Sequence, residues 1–429
     1  MWSRNFSSGE PDAAQPRPKR SYNTGVPRRP SRACALLLFL TSLSTRALAQ
    51  NPAPVTLDEV IARAVAQNPT LAAARLGRVV GLANIEVARE RPNPEFTFET
   101  ARDTPHETFA TAWLVETGGK RGRRVDVATA SLGRTDAELA RLTASVVNEV
   151  RRAYAALVTT RRRTSVAEDL RSLASRARDA AQDRFTSGAA PRLEALQADV
   201  ALAQAENEAS TSRALADAAR VTVNVLIDQP PTAPLVPVDD VQTPPMPRAE
   251  DLLRRALEGS PELAVIDRAI AEAGARAALA RALQRPDPTL DVGLTYDAPP
   301  EFQYGWRAGF TVAVPVLTRH RAAVRAEEAA VAQLRAERNA AAARIGGAVF
   351  AAAARGAAQR DAYARYRDTI LPRVEEVERM AEDSYRSGQT GLTALLQAMQ
   401  SARDIRLRAI DAAADYQAAI ADLEQAVGR

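Results

Sequence analysis

The chain contains one long pattern twice. Three segments of the first half return in the second half at offsets of 192, 194 and 200 residues. They are Asn68-Pro69-Thr70-Leu71 with Ser260-Pro261-Glu262-Leu263, Arg91-Pro92-Asn93-Pro94 with Arg285-Pro286-Asp287-Pro288, and Phe185-Thr186-Ser187-Gly188 with Tyr385-Arg386-Ser387-Gly388. A repeat of this length predicts one architecture built from two similar halves, although 429 residues alone would suggest about three domains.

The repeat predicts the domain boundaries. Each half follows the order helix, strand pair, very long helix, turn, helix. The predicted segments are a signal peptide at 1–49, a first repeat at 50–228 with a β-hairpin at 94–117 and a helical-hairpin tip near 188, a proline-rich linker at 229–247, and a second repeat at 248–429 with a β-hairpin at 288–315 and a tip near 388.

The N-terminus has the pattern of an export signal. Six basic residues between Arg17 and Arg32 precede an apolar run from Ala33 to about Leu43, and Ala47-Leu48-Ala49 fits a cleavage site before Gln50. The alternative is a membrane anchor, which the run is too short to form because a spanning helix needs about 20 residues. No cysteine follows the apolar run, so the sequence does not indicate a lipid anchor.

Charge and composition argue against several functional classes. Residues 1–49 hold 8 of the 57 basic and 2 of the 52 acidic residues, which leaves 49 basic and 50 acidic residues after them. The basic excess therefore belongs to the leader, and we expect no nucleic-acid partner. One cysteine, Cys34, and two histidines, His106 and His320, offer no metal-ligand spacing. We also find no catalytic triad or phosphate loop, so neither an enzyme nor a cofactor is expected.

Two windows alternate with the two-residue period of strands. In the second window, one face carries Leu290, Val292 and Leu294, and the alternation continues from Phe302 to Val314 after a turn. The first window runs from Phe96 to Val115. The predicted lipid-facing residues are Phe96, Phe98, Phe109, Trp113, Tyr296, Phe302, Tyr304, Trp306 and Phe310.

An aromatic face opposite a polar one is typical of a transmembrane β-barrel, although a soluble β-sandwich is the alternative. Four strands cannot close a barrel, since the smallest single-chain barrels use about eight. A barrel would therefore need several copies of the chain. Long alanine-rich stretches without proline, with Leu132, Leu139 and Val146 spaced by seven, predict helices about 100 Å long that pack closely. Pro372 predicts a kink or a junction in the second long helix.

Together these features resemble the outer-membrane efflux proteins of the TolC family over residues 55–427. The motifs that carry the resemblance are the turns at Asn68-Pro69 and Ser260-Pro261, the two strand pairs, Phe185-x-x-Gly188 before Leu193-Glu194-Ala195-Leu196, and Tyr385-x-x-Gly388 before Leu392-Thr393-Ala394-Leu395-Leu396. The resemblance implies a mostly α fold with a transmembrane β-barrel, in which a long coiled-coil tunnel in the periplasm continues into a 12-stranded barrel closed by a homotrimer.

The segment from Glu116 to Arg124 resembles the Gly-Gly-Lys-Arg stretch of the heavy-metal branch, which serves cobalt–zinc–cadmium and copper efflux. The alternative is a flexible strand exit with basic residues at the membrane boundary. Val314-Pro315-Val316-Leu317-Thr318-Arg319 occupies the corresponding place in the second half. The cargo therefore remains open between metal cations and other solutes.

The family resemblance also implies partners. These are outer-membrane lipid, a periplasmic adaptor (membrane-fusion) protein at the tips, and an inner-membrane pump of the RND type that supplies the energy. The residues expected to dock the adaptor are Gly188, Ala189, Pro191, Leu193, Gly388, Gln389 and Leu392.

A periplasmic aperture is expected beside the tips, formed by Arg192, Glu194 and Gln397. In the family, acidic residues just beyond the tip form rings that constrict the tunnel. At the second tip the matching residues, Ala394 and Gln397, are uncharged, so we expect Glu194 to supply the charge. The alternative is a solvated glutamate favoured by the helix dipole. The second function considered is a periplasmic or secreted coiled-coil scaffold without channel activity.

Overall fold

The structure is a computed structural model that describes residues 54–238, 247–298, 300 and 302–427. The predicted signal peptide, the linker residues 239–246 and the side chain of Phe302 lie outside the described part. The predicted mostly helical fold with four strands is confirmed. None of the helices in the described ranges is both long and apolar enough to cross a membrane.

Both halves follow the same order of elements. The first contains α1 Leu57–Gln67, α2 Pro69–Arg89, β1 Glu95–Thr100, β2 Glu107–Leu114, α3 Lys120–Thr186 and α4 Arg192–Leu226. The second contains α5 Ala249–Gly259, α6 Pro261–Ala282, β3 Pro288–Ala298, β4 Phe302–Val312, α7 Arg321–Arg365, a π-helical turn Tyr366–Ile370, α8 Leu371–Arg386 and α9 Leu392–Val427.

The first long helix, α3, has 67 residues and no proline. At about 1.5 Å per residue it extends roughly 100 Å. Its heptad residues Val146, Val150 and Leu157 are buried, and they form a core cluster with Val60 of α1. From Ala167 to Ala181 the buried residues of the helix are mostly alanine, which allows neighbouring helices to approach closely.

The helix that precedes each strand pair begins at a proline in its first turn, where the missing N–H costs nothing. At the first of these starts, Asn68 Oδ1 accepts hydrogen bonds from the backbone amides of Thr70 at 3.0 Å and Leu71 at 3.3 Å. Its Nδ2 donates to the carbonyl oxygen of Leu226 at 3.0 Å, which ties the start of α2 to the end of α4.

The four strands form one antiparallel sheet in the order β1-β2-β3-β4. The central pair joins the two repeats, with Leu114 opposite Thr289 and Phe109 opposite Leu294. Among the residues that the structure describes, the outer strands β1 and β4 each have one edge that pairs with no other strand. The sheet is therefore open at both sides.

The helices of the two repeats differ in the number of neighbours that they pack against. The second-repeat helix α6 packs against both α3 and α7, and α9 packs against α3, α7 and α8. Their first-repeat counterparts, α2 and α4, have α3 as their principal partner. Among the described residues, α2, α4 and β1 of the first repeat have an open side where their counterparts α6, α9 and β3 have a neighbour, whereas β4 is open where its counterpart β2 is paired.

The second long helix is interrupted where Pro372 predicts a junction. The π-helical turn Tyr366–Ile370 lies directly before α8, and the proline occupies the first turn of α8. A π-helical turn changes the hydrogen-bond spacing from four residues to five. The carbonyl that cannot receive a hydrogen bond from the proline, which has no N–H, can then accept one from the following amide. The unbroken first repeat has no proline at this point.

Candidate functional site: the hairpin tips and the sheet face

The two tips, residues 185–194 and 385–394, have nearly identical backbones. In the first, the amide of Gly188 donates to the carbonyl of Phe185 at 3.0 Å, and in the second the amide of Gly388 donates to Tyr385 at 3.0 Å. The glycine φ angles are +77° and +75°. This left-handed conformation ends each long helix and reverses the chain, and it favours glycine because a Cβ would be strained there.

Space does not limit these glycines within the chain. A Cβ built on Gly188 or on Gly388 would meet no heavy atom within 4 Å. A side chain at either position would therefore project away from the chain, and the glycines leave the outermost surface of each tip bare backbone.

The remaining predicted docking residues differ in exposure. Ala189, Pro191, Leu193 and Gln389 are exposed. Leu392 is only 1% exposed and belongs to a core cluster with Tyr385 and Leu395. Leu392 therefore packs inside the tip, because the first turn of α9 faces the neighbouring helices, and its part in docking stays a prediction.

A polar contact joins the two tips. Arg184 donates from Nη1 to the carbonyl of Tyr385 at 3.1 Å, and its guanidinium lies 5.0 Å from the centre of the Tyr385 ring. The Tyr385 hydroxyl donates to Glu194 Oε2 at 3.5 Å. Burial, followed by the charge of Glu194, raises the pKa of Tyr385 above its ordinary value. The hydroxyl therefore stays protonated at neutral pH and remains a donor.

Of the three predicted aperture residues, Glu194 takes part in this contact. Glu194 is half-buried and bound to Tyr385, whereas Arg192 and Gln397 are exposed. Glu194 is therefore more than a solvated helix-start carboxylate, because it bridges the first tip to the second.

A groove with apolar and polar lining residues runs from the tips between α4 and α9, and its polar residues include Gln197, Gln400 and Arg403. It has a volume of about 730 Å³ and includes Leu193, Leu196 and Val200 on one wall and Leu396 and Met399 on the other. Leu193, Leu196 and Val200 are all exposed, so this wall of α4 presents an apolar stripe.

The sheet divides its side chains between an aromatic face and a polar face, and contact of the aromatic face with lipid stays a prediction. One row across all four strands consists of Phe98, Phe109, Leu294 and Trp306, which are directly opposite one another. Phe98 and Phe109 stack with ring centres 4.7 Å apart. Phe96 is 81% and Trp306 80% exposed. The other predicted residues of this face are exposed as well: Trp113, Tyr296, Tyr304 and Phe310.

The opposite face is polar or small. Its rows include Thr97, Ala110, Gly293 and Arg307. A Cβ on Gly293 would lie 3.1 Å from Arg307 Nε, so the glycine leaves room for the guanidinium. One face is thus suited to hydrocarbon and the other to water.

The Gly-Gly-Lys-Arg stretch forms a rigid clamp between the repeats. Lys120 is buried, and its Nζ donates to Asp287 Oδ2 and to the carbonyl of Arg285, both at 2.6 Å. The backbone amide of Thr117 donates to Asp287 Oδ1 at 2.7 Å. Lys120 is therefore held in place by two hydrogen bonds at this exit.

The glycines of the clamp allow this close approach. Gly118 has a φ of +69°, and a Cβ there would lie 2.7 Å from Arg285 Cδ. Burial alone would raise the pKa of Asp287, but hydrogen bonds from Lys120 and Thr117 outweigh it and lower that pKa below its ordinary value. The carboxylate is therefore ionised at neutral pH and holds the buried ammonium.

Sequence reasoning missed this clamp because Lys120 and Asp287 are 167 residues apart. The available signal was the second Arg-Pro-x-Pro motif, which carries Asp287 where the first carries Asn93. In the described part of the chain, no three His, Cys, Asp or Glu side chains come together as metal ligands would.

The comparisons with known proteins agree with this geometry. The sequence profile of the family described as "Outer membrane efflux protein" matches residues 60–227 and 252–429. The chain is 23% identical over 383 residues to the cobalt-zinc-cadmium resistance protein CzcC of Cupriavidus metallidurans, which covers 88% of this chain and 90% of CzcC.

Solved structures share the fold. The crystal structure of CusC superposes with a TM-score of 0.71 and 15% identity, covering 86% of this chain and 91% of CusC. VceC of Vibrio cholerae gives a TM-score of 0.70 at 15% identity, covering 87% of this chain and 96% of VceC. The two matched segments of the family profile span the helices and strands of both repeats, and the chain therefore belongs to the outer membrane efflux protein family.

Proposed function

We propose that three copies of this chain form the outer-membrane exit duct of a tripartite efflux system. The observation that carries the proposal is the four-stranded sheet with one exposed aromatic face and two unpaired edges. A soluble scaffold would bury such a face, because large exposed apolar patches mark interaction with a partner or a membrane. Three sheets of four strands supply the twelve strands of a barrel whose aromatic face meets lipid.

The helices supply the periplasmic part of the duct. With α3 about 100 Å long, the hairpins of three chains form a tunnel that extends away from the membrane. The open sides of α2 and α4 support a ring of copies, because each lacks a neighbour that its second-repeat counterpart has. Cargo passes through this tunnel passively.

The tips are the surface for the periplasmic adaptor. Gly188 and Gly388 present bare backbone, and Ala189, Pro191, Leu193 and Gln389 surround them with small or apolar exposed side chains. The adaptor connects the duct to an inner-membrane pump of the RND type. Glu194, present three times in the trimer, supplies negative charge beside the aperture.

The cargo includes divalent heavy-metal cations. This part rests on the similarity to CzcC over most of both chains and on the Gly-Gly-Lys-Arg segment. The duct itself needs no metal ligands, since a channel that passes a hydrated cation does not have to bind it.

Fractionation and growth experiments test the proposal. The mature chain should occur in the outer-membrane fraction and run in SDS as a trimer that heating converts to a monomer. A deletion strain should become sensitive to cobalt, zinc or cadmium, and the intact gene should restore tolerance. A soluble monomer in the periplasmic fraction would contradict the duct, and unchanged tolerance to all three metals and to copper would contradict the metal cargo alone.

A further inference from the structure

We infer that β4 of one copy pairs antiparallel with β1 of the next copy in a single defined register, with Phe310 opposite Phe98 of the next copy and Val314 hydrogen-bonded to Pro94 of the next copy. The inference rests on the proposed trimer and adds to it the residues at which one chain meets the next. It follows from the sheet within one chain, where the same kind of junction already joins the first repeat to the second.

The junction within the chain is the β2–β3 pair. Leu114 lies opposite Thr289, Ala112 opposite Asp291 and Phe109 opposite Leu294. The pairing ends with the amide of Val115, which donates to the carbonyl of Pro288 at 2.9 Å. This junction joins the second strand of the first hairpin to the first strand of the second hairpin, so a junction between copies would join the second strand of the second hairpin to the first strand of the first hairpin.

The two repeats can be superposed residue by residue. The Arg-Pro-x-Pro motifs align Pro94 with Pro288, an offset of 194. In β1–β2, Glu95 lies opposite Ala112, and in β3–β4, Thr289 lies opposite Thr311. Because Glu95 aligns with Thr289, their partners Ala112 and Thr311 also align, which gives an offset of 199 for the second strand of each hairpin.

These offsets convert the internal junction into the one between copies. Leu114 opposite Thr289 becomes Ala313 opposite Glu95 of the next copy, and Ala112 opposite Asp291 becomes Thr311 opposite Thr97. The terminal hydrogen bond from Val115 to Pro288 becomes one from Val314 to Pro94. Both terminal pairs consist of a valine and a proline, although residue identity at the valine played no part in the alignment.

The register also agrees with the faces of the sheet. It places Phe310 opposite Phe98 and Val312 opposite Phe96, and the three phenylalanines all belong to the exposed aromatic face. Aromatic cross-strand pairs stabilise a sheet, whereas a slip of one residue would turn every side chain of β4 to the wrong face.

A slip of two residues would keep the faces correct, and in one direction it would set Arg307 directly opposite Glu99 of the next copy, so the junction within the chain rather than charge specifies the register. Among the described residues, Arg307 and Glu99 on the polar face belong to no ion pair. The inferred register sets Gly309 opposite Glu99 and so brings Arg307 diagonally next to that carboxylate, within reach of a long side chain.

The exit of β4 has the exposed surface that such a junction would cover. Val314, Val316 and Leu317 are exposed, with Leu317 at 98%. The corresponding exit of β2 is held in the chain by Asp287 and Lys120. The next copy offers Asn93 in place of Asp287, and the exit of β4 carries Arg319 and Arg321 in place of Lys120, so the lysine–aspartate pair of the internal junction has no counterpart between copies.

Disulfide trapping tests the register in the full-length chain. The native Cys34 is replaced (Cys34→Ala), and Thr97→Cys is combined with Thr311→Cys. The inferred pair is of the non-hydrogen-bonded type, with Cα atoms about 4.5 Å apart, which lies within the range of about 4.4 to 6.8 Å that disulfides span. Oxidation of membranes should convert the monomer band to covalent dimer and trimer on denaturing, non-reducing gels, and reduction should reverse the change.

Two kinds of control are built into the repeat. The matched pair within the chain, Ala112→Cys with Asp291→Cys, should close a disulfide that leaves only monomer, which shows that the sheet is folded and the oxidant effective. The slipped pairs Glu95→Cys with Thr311→Cys and Glu99→Cys with Thr311→Cys should give little covalent trimer, because diagonal positions are about 7 to 8 Å apart.

The outcomes separate this inference from the proposed function. Heat-modifiable trimers together with efficient trapping only at 97–311 support the register. Heat-modifiable trimers that are trapped by a slipped pair, or by none of the three, overturn the register and leave the duct intact. Monomers on unheated gels, with the control disulfide formed, overturn both.

Discussion

At the residue scale, Tyr385 is the side chain that couples the two tips. It is buried, and its carbonyl accepts a hydrogen bond from Arg184, whose guanidinium also lies over its ring. Its hydroxyl donates to Glu194. Glu194 therefore has two separable properties, its charge and its bond to the second tip. The first should affect which ions pass the aperture, and the second should affect how firmly the tips are held together.

Two substitutions separate these properties in single-channel recordings. Glu194→Gln keeps a hydrogen-bond acceptor and removes the charge, so cation selectivity should fall. Tyr385→Phe keeps the charge and removes a bond worth about 0.5 to 1 kcal/mol, which should shift the balance between closed and open channels by about two- to fivefold toward open. Unchanged conductance and selectivity in Glu194→Gln would contradict an aperture role for this residue.

Substitutions of the tip glycines should separate the effect of backbone conformation from the effect of side-chain size. Gly188→Asn and Gly388→Asn should be tolerated, since asparagine adopts positive φ more readily than other residues. Gly188→Trp and Gly388→Trp add roughly 1 to 2 kcal/mol of backbone strain and a side chain that projects outward. Trimers should form in all four variants, but the tryptophan variants should lose adaptor capture and efflux. Adaptor capture at the normal level by the tryptophan variants would show that the tips are not the docking surface.

Single residues at the tips were only partly predictable. Gly188 and Gly388 are identified by the repeat and by the need for positive φ after a long helix. The burial of Leu392 was not, because the sequence period shows which residues of α9 share a face but not which face meets α3 and α8. Leu392 is the first residue of α9 and is buried, whereas the corresponding first residue of α4, Arg192, is exposed, so the helices packed around each tip decide the difference.

At the element scale, the clamp of Lys120, Asp287 and Thr117 fixes where the sheet ends and the long helix begins. It holds the exit of β2 against the start of β3, at the point where a 67-residue helix has to continue from an 8-residue strand. A small change of angle here would be amplified along α3. The buried ammonium and its carboxylate should therefore stabilise the junction and set the direction of the helix.

The clamp predicts a pH-dependent loss of stability. The lowered pKa of Asp287 means that its contribution is present above the ordinary aspartate pKa of 3.8 and is lost as pH falls through the lowered value. Lys120→Met should cost about 2 to 3 kcal/mol at pH 7, since it removes a charged hydrogen bond. Thermal unfolding followed by circular dichroism in detergent should show this difference at pH 7, and it should shrink at pH 3.

A control variant on the same segment supports the interpretation. Arg121→Met removes a charge next to Lys120 from a residue for which the structure records no hydrogen bond or ion pair, so its unfolding temperature should match that of the wild type. An equal loss in both variants, or a Lys120→Met effect that does not change with pH, would argue against the ion pair as the source of the stability.

The elements themselves were largely predictable, because each depends on local pattern. The two-residue alternation around Phe98 and Trp306 predicts the strands, and alanine-rich stretches without proline predict α3 and α9. The clamp depends instead on the pairing of β2 with β3, which no local pattern near Lys120 reveals. Pro372 predicts a junction, but not that a π-helical turn resolves it.

At the scale of the whole molecule, packing of one repeat against the other gives some helices and strands a neighbour on both sides and leaves others with a neighbour on one side. Within the described residues, α6 lies between α3 and α7 and β3 lies between β2 and β4, whereas α2 and β1 have one side open. A ring of copies would close these sides with the second repeat of the next chain. The open sides of α2 and β1 would thus form part of the interface between copies.

The open side of α2 carries an apolar stripe that should be part of that interface. Leu76, Val79, Val80 and Val87 recur at helical spacing and are exposed, with Leu76 at 66%. The other side of the helix lies against α3, where Gly81 permits close approach because a Cβ would lie 2.9 Å from Leu132 Cδ1. Solvent exposure of four large aliphatic side chains on one face is costly unless another surface covers them.

Charged substitutions on this stripe should separate folding from assembly. In Leu76→Asp with Val79→Asp, the stripe loses its apolar character while the packing face against α3 is untouched, so circular dichroism should keep its helical signal and the heat-modifiable trimer should be lost. Asn84→Asp adds a charge on α2 outside the stripe and should leave the trimer intact. If the double variant still formed trimers, the open side of α2 would face solvent in the assembly, and the closing contacts of the ring would have to lie in the sheet and along α4.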